Sequence, residues 1–103
     1  MTRSSGILLP VSALPGPCGI GDLGTAAREF IDFLAAAGQR YWQILPLNPP
    51  DSAHSPYLSA STFAGSTDLL SPEPLVKRGA LTAAEVCAVN WGSDPMRVDY
   101  ECV

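Results

Sequence analysis

The chain has 103 residues, 47% of them hydrophobic and only 16% charged, which suits one packed domain and excludes disorder over most of its length. Six Lys and Arg against ten Asp and Glu leave a net charge of −4, so the attraction that drives binding to nucleic acid or to an anionic membrane is missing. No apolar run reaches the roughly 18 to 20 residues of a membrane span, and Met1-Thr2-Arg3-Ser4-Ser5 leads into a short apolar stretch instead of a signal-peptide core, which points to the cytoplasm.

Cys18, Cys87 and Cys102 share neither metal-ligand nor redox spacing, so free thiols are expected and no metal site. Gly6-Ile7-Leu8-Leu9-Pro10-Val11 is a continuous apolar run without alternation, the pattern of a strand buried on both faces of a parallel sheet. The segment from Ala13 to Gly24 is dense in glycine and proline and reads as a turning loop at that strand's carboxyl end. From Thr25, a plausible N-cap, Ala26, Phe30, Phe33, Leu34 and Ala37 fall on one helical face. Gly38 stands where a left-handed residue closes such a helix. Burial of Phe30, Phe33 and Leu34 is worth about 1.5 to 3 kcal/mol each, far above the few tenths from an Arg28–Asp32 pair.

Tyr41-Trp42-Gln43-Ile44-Leu45, stopped by Pro46, reads as a second strand. Strand, loop, helix and strand together make a βαβ unit with an expected right-handed crossover. Asn48 to Ser66 holds the single histidine, His54, and has no sustained period, so it is predicted as a long irregular loop. Ser71 to Gly79 predicts a short helix with Pro72 first, basic residues in its last turn and Gly79 closing it. Thr82-Ala83-Ala84-Glu85 is a capping box opening another short helix towards Val89. Asn90 to Val103 reads as a loop with the start of another element.

Three groups of residues carry a resemblance. Arg3-Ser4-Ser5-Gly6-Ile7-Leu8-Leu9-Pro10-Val11-Ser12, continued through Leu14-Pro15-Gly16-Pro17 and Gly19-Ile20-Gly21-Asp22-Leu23-Gly24, resembles the opening of the 4-α-glucanotransferases, the amylomaltases or disproportionating enzymes of glycoside hydrolase family 77. Gly38-Gln39-Arg40-Tyr41-Trp42-Gln43-Ile44-Leu45-Pro46-Leu47 is similar to that family's second-strand signature. Ser55-Pro56-Tyr57 with Phe63-Ala64-Gly65 is similar to the loop after it, and Arg97-Val98-Asp99-Tyr100 adds a weaker likeness.

The resemblance implies an α/β fold, the N-terminal portion of a (β/α)₈ TIM barrel. Residues 1–47 are then the βαβ unit, 48–70 a substrate-side loop, and 71–103 short helices with the start of an insertion. It implies transfer of α-1,4-glucan segments between maltooligosaccharides by retention: an Asp attacks the anomeric carbon, a Glu protonates the leaving oxygen, and a sugar hydroxyl resolves the glycosyl-enzyme. Neither acid maps onto this chain, so no catalytic residue is assigned here; no cofactor is expected, and the implied partners are α-1,4-glucans and the remainder of the barrel. The alternative is a non-catalytic glucan-binding or scaffold fragment.

The residues that do map are Ser55 and Tyr57, which in similar enzymes make a polar contact and a stacking contact with sugar next to the scissile bond. A flat ring covers the C–H face of a pyranose, and hydroxyls read its equatorial groups; the competing reading is that Tyr57 packs the loop. The pattern departs at Cys18, where many relatives have an aromatic residue, at Ser52, where some carry a second stacking Tyr, at His54, where Asp is common, and at Leu58, where Gln is common.

Histidine is a common acid–base residue in catalysis, but His54, a lone loop histidine, is read as exposed, without a catalytic role. Gly19-Ile20-Gly21-Asp22-Leu23-Gly24 spells the dinucleotide fingerprint, yet a long loop separates it from Leu9 where that motif needs a tight turn. Asp22 is expected to serve the following helix as a dipole contact.

Overall fold

A computed structural model describes residues 2–103. Strand β1 (Gly6–Leu8) pairs in parallel with β2 (Tyr41–Gln43), in the register Gly6 to Tyr41, Ile7 to Trp42 and Leu8 to Gln43. The ladder is extended at both ends, where Arg40 N–H donates to Ser5 O at 2.9 Å and Leu9 N–H to Gln43 O at 3.0 Å. Helix α1 (Thr25–Ala36) connects the two strands, as the βαβ reading expects. Two short helices follow, α2 (Pro72–Lys77) and α3 (Ala83–Ala88), and 3-10 turns lie at Val11–Ala13 and Thr67–Leu69.

Both strands are shorter than the apolar runs predict. After Leu8 the chain passes through Pro10, which has no N–H to give to a ladder, and turns at Val11–Ala13, where Ala13 N–H donates to Pro10 O at 3.1 Å. The expectation of a strand buried on both faces also fails: Gly6, Ile7 and Leu8 are all exposed, as is Tyr41. One helix lies against a two-stranded sheet here, and a second layer is needed to cover the other face.

The core therefore sits at the carboxyl end of the strands. Val11, Leu14 and Ala27 are its buried centre, with Leu9, Ala26, Phe30, Trp42, Leu47 and Leu69 packed around them. Phe30 meets Trp42 edge-on, with ring centroids 5.1 Å apart and planes at 72°, a favoured aromatic geometry. Trp42 Nε1–H donates to Leu9 O at 2.8 Å, tying β2 to the end of β1.

Three details of α1 differ from expectation. Its N-cap is Gly24, with Thr25 the first helical residue. The Thr25 hydroxyl instead donates to Glu73 Oε2 at 2.6 Å, across to α2. Phe33 is 62% exposed although it stacks on Phe30 at 6.1 Å, and Ala37 is exposed too, because the helix's apolar stripe is wider than the surface offered to it. Leu34 is buried as expected, and Gly38 has φ 72° at the closing position. Among the described residues the ion pair is Lys77–Glu73 at 2.6 Å; Arg28 and Asp32 form none.

The other helix signals hold. Pro72 is the first residue of α2, although the Ser71 side chain makes no capping bond. Thr82 and Glu85 form the reciprocal capping box at α3: Glu85 N–H donates to Thr82 Oγ1 at 3.2 Å and Thr82 N–H to Glu85 Oε2 at 2.7 Å. The Thr82 N–H and the Thr82 hydroxyl, which also donates to Glu85 Oε2 at 2.7 Å, hold the Glu85 carboxyl below its ordinary range, and bonds from Lys77 and Thr25 do the same for Glu73.

Candidate functional site

Three irregular segments meet beyond the carboxyl ends of β1 and β2, the end at which parallel α/β folds build their sites. They are the loop after β1, the long loop after β2, and the closing segment from Val89 to Val103. The first loop folds back on its own start: Gly21 N–H donates to Ser12 O at 3.1 Å. A Cβ on Gly21 would strike Val11 O and lie 2.6 Å from both Leu14 N and Leu14 O. The glycine at that position thus serves close backbone packing, not a phosphate.

Asp22 is buried and its Oδ1 accepts from Gly24 N–H at 2.8 Å, just before α1, in the helix-start role expected of it. Cys18 is buried in the same loop. Burial first, then the charges of Asp22 and Cys87, push its thiol above the ordinary range, so it stays protonated and poorly nucleophilic. Among the described residues no cluster of His, Cys, Asp and Glu is arranged to hold a metal ion.

The loop after β2 has no regular structure from Asn48 to Ser66, as predicted, but it is closed by its own hydrogen bonds. Ser66 N–H donates to Leu47 O at 2.7 Å across its base, and Asp51 N–H to Leu58 O at 2.9 Å across its tip. Within the tip, Asp51 Oδ1 accepts from Ala53 N–H at 3.1 Å and Ser55 N–H at 3.3 Å. An aspartate that gathers backbone N–H groups ahead of it is the usual way a short polar side chain fixes a turn.

Ser55 and Tyr57 lie in this tip. Ser55 is half-buried, and its Oγ accepts from Tyr57 N–H at 3.4 Å. Tyr57 is 71% exposed, so its ring does not pack the loop from within. Neither side chain lines the pocket of about 140 Å³ beside the tip, but the residues flanking Ser55, His54 and Pro56, both do. Val11, Ile20 and Leu69 line it with apolar side chains, and Ser12, Asn48 and Asp68 add polar ones. It offers an apolar surface with a few polar groups, the usual make-up of a small-molecule site.

Tyr100 is the residue of this region to which the motif reading gave no role. It reaches the pocket from the closing segment and stacks on His54, ring centroids 4.1 Å apart and planes at 7°. His54 is exposed, as expected, but is not a free side chain. The only trace of Tyr100 in the sequence is the short likeness at Arg97-Val98-Asp99-Tyr100. Of the other departures, Ser52 and Leu58 are exposed on the same tip.

Residues 9–103 match the family model described as 4-alpha-glucanotransferase. The chain belongs to this family, glycoside hydrolase family 77. It is 48% identical over 98 residues to a 4-alpha-glucanotransferase of Streptococcus pneumoniae, covering 95% of this chain and 19% of that protein. It is 45% identical over 100 residues to the Thermus thermophilus 4-alpha-glucanotransferase, covering 97% of this chain and 19% of that one. Among solved structures it superimposes with TM-score 0.93, at 40% identity, on amylomaltase from Streptococcus agalactiae in complex with acarbose, covering 97% of this chain and 20% of the other. The chain thus spans about a fifth of the length of the family members it matches. No helix among the described residues is long and apolar enough to cross a membrane.

Proposed function

We propose that this chain is the opening of a 4-alpha-glucanotransferase catalytic barrel, with β1 and β2 as its first two strands, and that it supplies glucan contacts from Ser55 and Tyr57. Residues 1–47 form the βαβ unit, 48–70 the substrate-side loop and 71–103 the short helices and the start of an insertion. The substrates are α-1,4-linked glucans. The cytoplasm is the compartment proposed, on the three free thiols Cys18, Cys87 and Cys102.

The observation that carries this reading is the exposed Tyr57 ring on a hydrogen-bonded loop at the carboxyl ends of the parallel strands, in a chain that superimposes on an amylomaltase solved with acarbose. A ring held in that way covers the apolar face of a sugar at small entropic cost, because the loop is already ordered. The Ser55 hydroxyl accepts one N–H and has a proton left to donate to a sugar oxygen. The attacking Asp and the proton-donating Glu of the retaining mechanism are assigned to no residue of this chain.

The test is Tyr57→Ala beside Tyr57→Phe in a full-length glucanotransferase that carries this segment together with the rest of the barrel, with maltotriose as donor and acceptor. Stacking that tightens as the neighbouring sugar flattens acts on turnover as well as on binding. Tyr57→Ala is expected to lower kcat/KM by about 2 to 3 kcal/mol, roughly 30- to 150-fold, and Tyr57→Phe by about 1 kcal/mol or less. Equal losses in the two variants would give the role to the hydroxyl. Wild-type kcat/KM in Tyr57→Ala would remove Tyr57 from the site.

A further inference from the structure

Among the described residues His54 is the one non-glycine with positive φ, at 57°. A side chain in the left-handed region is held there by its surroundings against a conformational cost. Here the backbone part is plain: His54 N–H donates to Asp51 O at 2.9 Å, inside the turn that the Asp51 carboxylate gathers. The side-chain part is the parallel stack on Tyr100.

Tyr100 is itself fixed from behind. Its segment is knit by Arg97 N–H to Asp94 O at 3.3 Å and Cys102 N–H to Asp99 O at 2.9 Å. At the segment's start Trp91 Nε1–H donates to Val86 O at 3.1 Å, anchoring it to α3. It also lies against the loop after β1, where a Cβ on Gly19 would strike Trp91 O and come 3.3 Å from Val103 Cγ2. The stack therefore joins an anchored segment to the loop tip, and the residue after His54 is Ser55.

We propose that His54 and Tyr100 are a positioning pair, their stacked rings holding the 51–58 loop tip in the conformation that presents Ser55 and Tyr57 to the glucan. The proposal rests on the reading of Ser55 and Tyr57 given above. Neither ring is asked to touch sugar. Their effect passes through the backbone of the tip, whose own hydrogen bonds are exposed or half-buried and so open readily without an outside support.

His54→Asn separates the ring from the backbone, since Asn enters the left-handed region readily but cannot stack. Tyr100→Leu removes the other ring, and Tyr100→Phe keeps it. The measurements, on the full-length enzyme that carries this segment with the rest of the barrel, are amide exchange at Ala53, Ser55 and Leu58 without glucan, and KM and kcat for maltotriose. His54→Asn and Tyr100→Leu are each expected to speed exchange by about 2- to 10-fold, the range of one aromatic pair, with no further gain in the double variant. KM should rise several-fold in each with a smaller change in kcat, and Tyr100→Phe should match the wild type. Unchanged exchange in His54→Asn, or additive effects in the double variant, would overturn the pair. Faster exchange with an unchanged KM would also overturn the positioning role. In that case a raised KM in Tyr57→Ala places the fault in the stack alone, and an unchanged one places it in the site reading.

Discussion

Replacing Trp42 by Phe should loosen the carboxyl end of the β1–β2 pair by a predictable amount. Trp42 makes two separable contacts: its Nε1–H donates to Leu9 O at 2.8 Å, and its ring meets Phe30 at 5.1 Å. A phenyl ring in its place keeps an aromatic partner for Phe30 but leaves the Leu9 carbonyl without its donor. A typical hydrogen bond contributes about 1 kcal/mol net, and a part-buried acceptor left unmet adds to that, so the loss should be about 1 to 2 kcal/mol. Trp42→Ala gives up the aromatic contact and the packing as well. For a half-buried side chain this belongs near the lower end of the usual range, about 3 kcal/mol. The assay is amide exchange at Leu9 and Arg40, whose N–H groups close the two ends of the ladder. At about 1.4 kcal/mol per tenfold, Trp42→Phe should speed exchange at Leu9 roughly 5- to 30-fold. An effect on Arg40 as large as that on Leu9 would contradict a local tie, and Trp42→Phe indistinguishable from wild type would show that the indole bond contributes nothing.

Gly24→Ala should destabilise the full-length enzyme by about 1 to 3 kcal/mol, because the new Cβ strikes Ser71 Oγ and lies 2.6 Å from Asp22 Oδ1; chemical unfolding of that enzyme measures it, and Ser71→Gly should recover part of the loss. The capping glutamate Glu85 has its carboxyl lowered from its ordinary value of 4.5 by the Thr82 bonds, so its stabilising contribution is complete above that value and is lost as pH falls through the folded one. Exchange at Val86, normalised for intrinsic rate, should therefore rise on acidification, and Glu85→Gln, which can still form the box, should abolish that rise. The 103-residue polypeptide by itself should transfer no glucosyl units from maltotriose, since a retaining mechanism needs a pair of carboxyl groups flanking the bond. It should also self-associate in gel filtration, since Ile7, Leu8, Phe33 and Tyr41 are all exposed; a sharp monomer peak with a cooperative melt would refute the second expectation.

What the sequence determined by itself are the features set by neighbours a few residues apart. The 3.6-residue recurrence of apolar side chains fixed α1, the Thr82–Glu85 spacing fixed the start of α3, and Gly38 and Gly79 marked helix ends where their φ values are indeed positive. The strand–helix–strand order was enough to predict the parallel β1–β2 pair. Three ordered motifs were enough to indicate the family, because a motif is local too. Only the tertiary structure decided which apolar residues are covered. Phe33 and Leu34 carry the same periodic signal, yet Leu34 is buried and Phe33 is not, since burial depends on what lies opposite and not on spacing along the helix. It also decided the site's surroundings. The His54–Tyr100 stack and the Thr25–Glu73 bond join residues nearly half the chain apart. Nothing in the local pattern of either partner specifies the other. The strands end at Leu8 and Gln43, short of their apolar runs, because a ladder continues only while the neighbouring chain keeps its register, and here the turn at Val11–Ala13 breaks it.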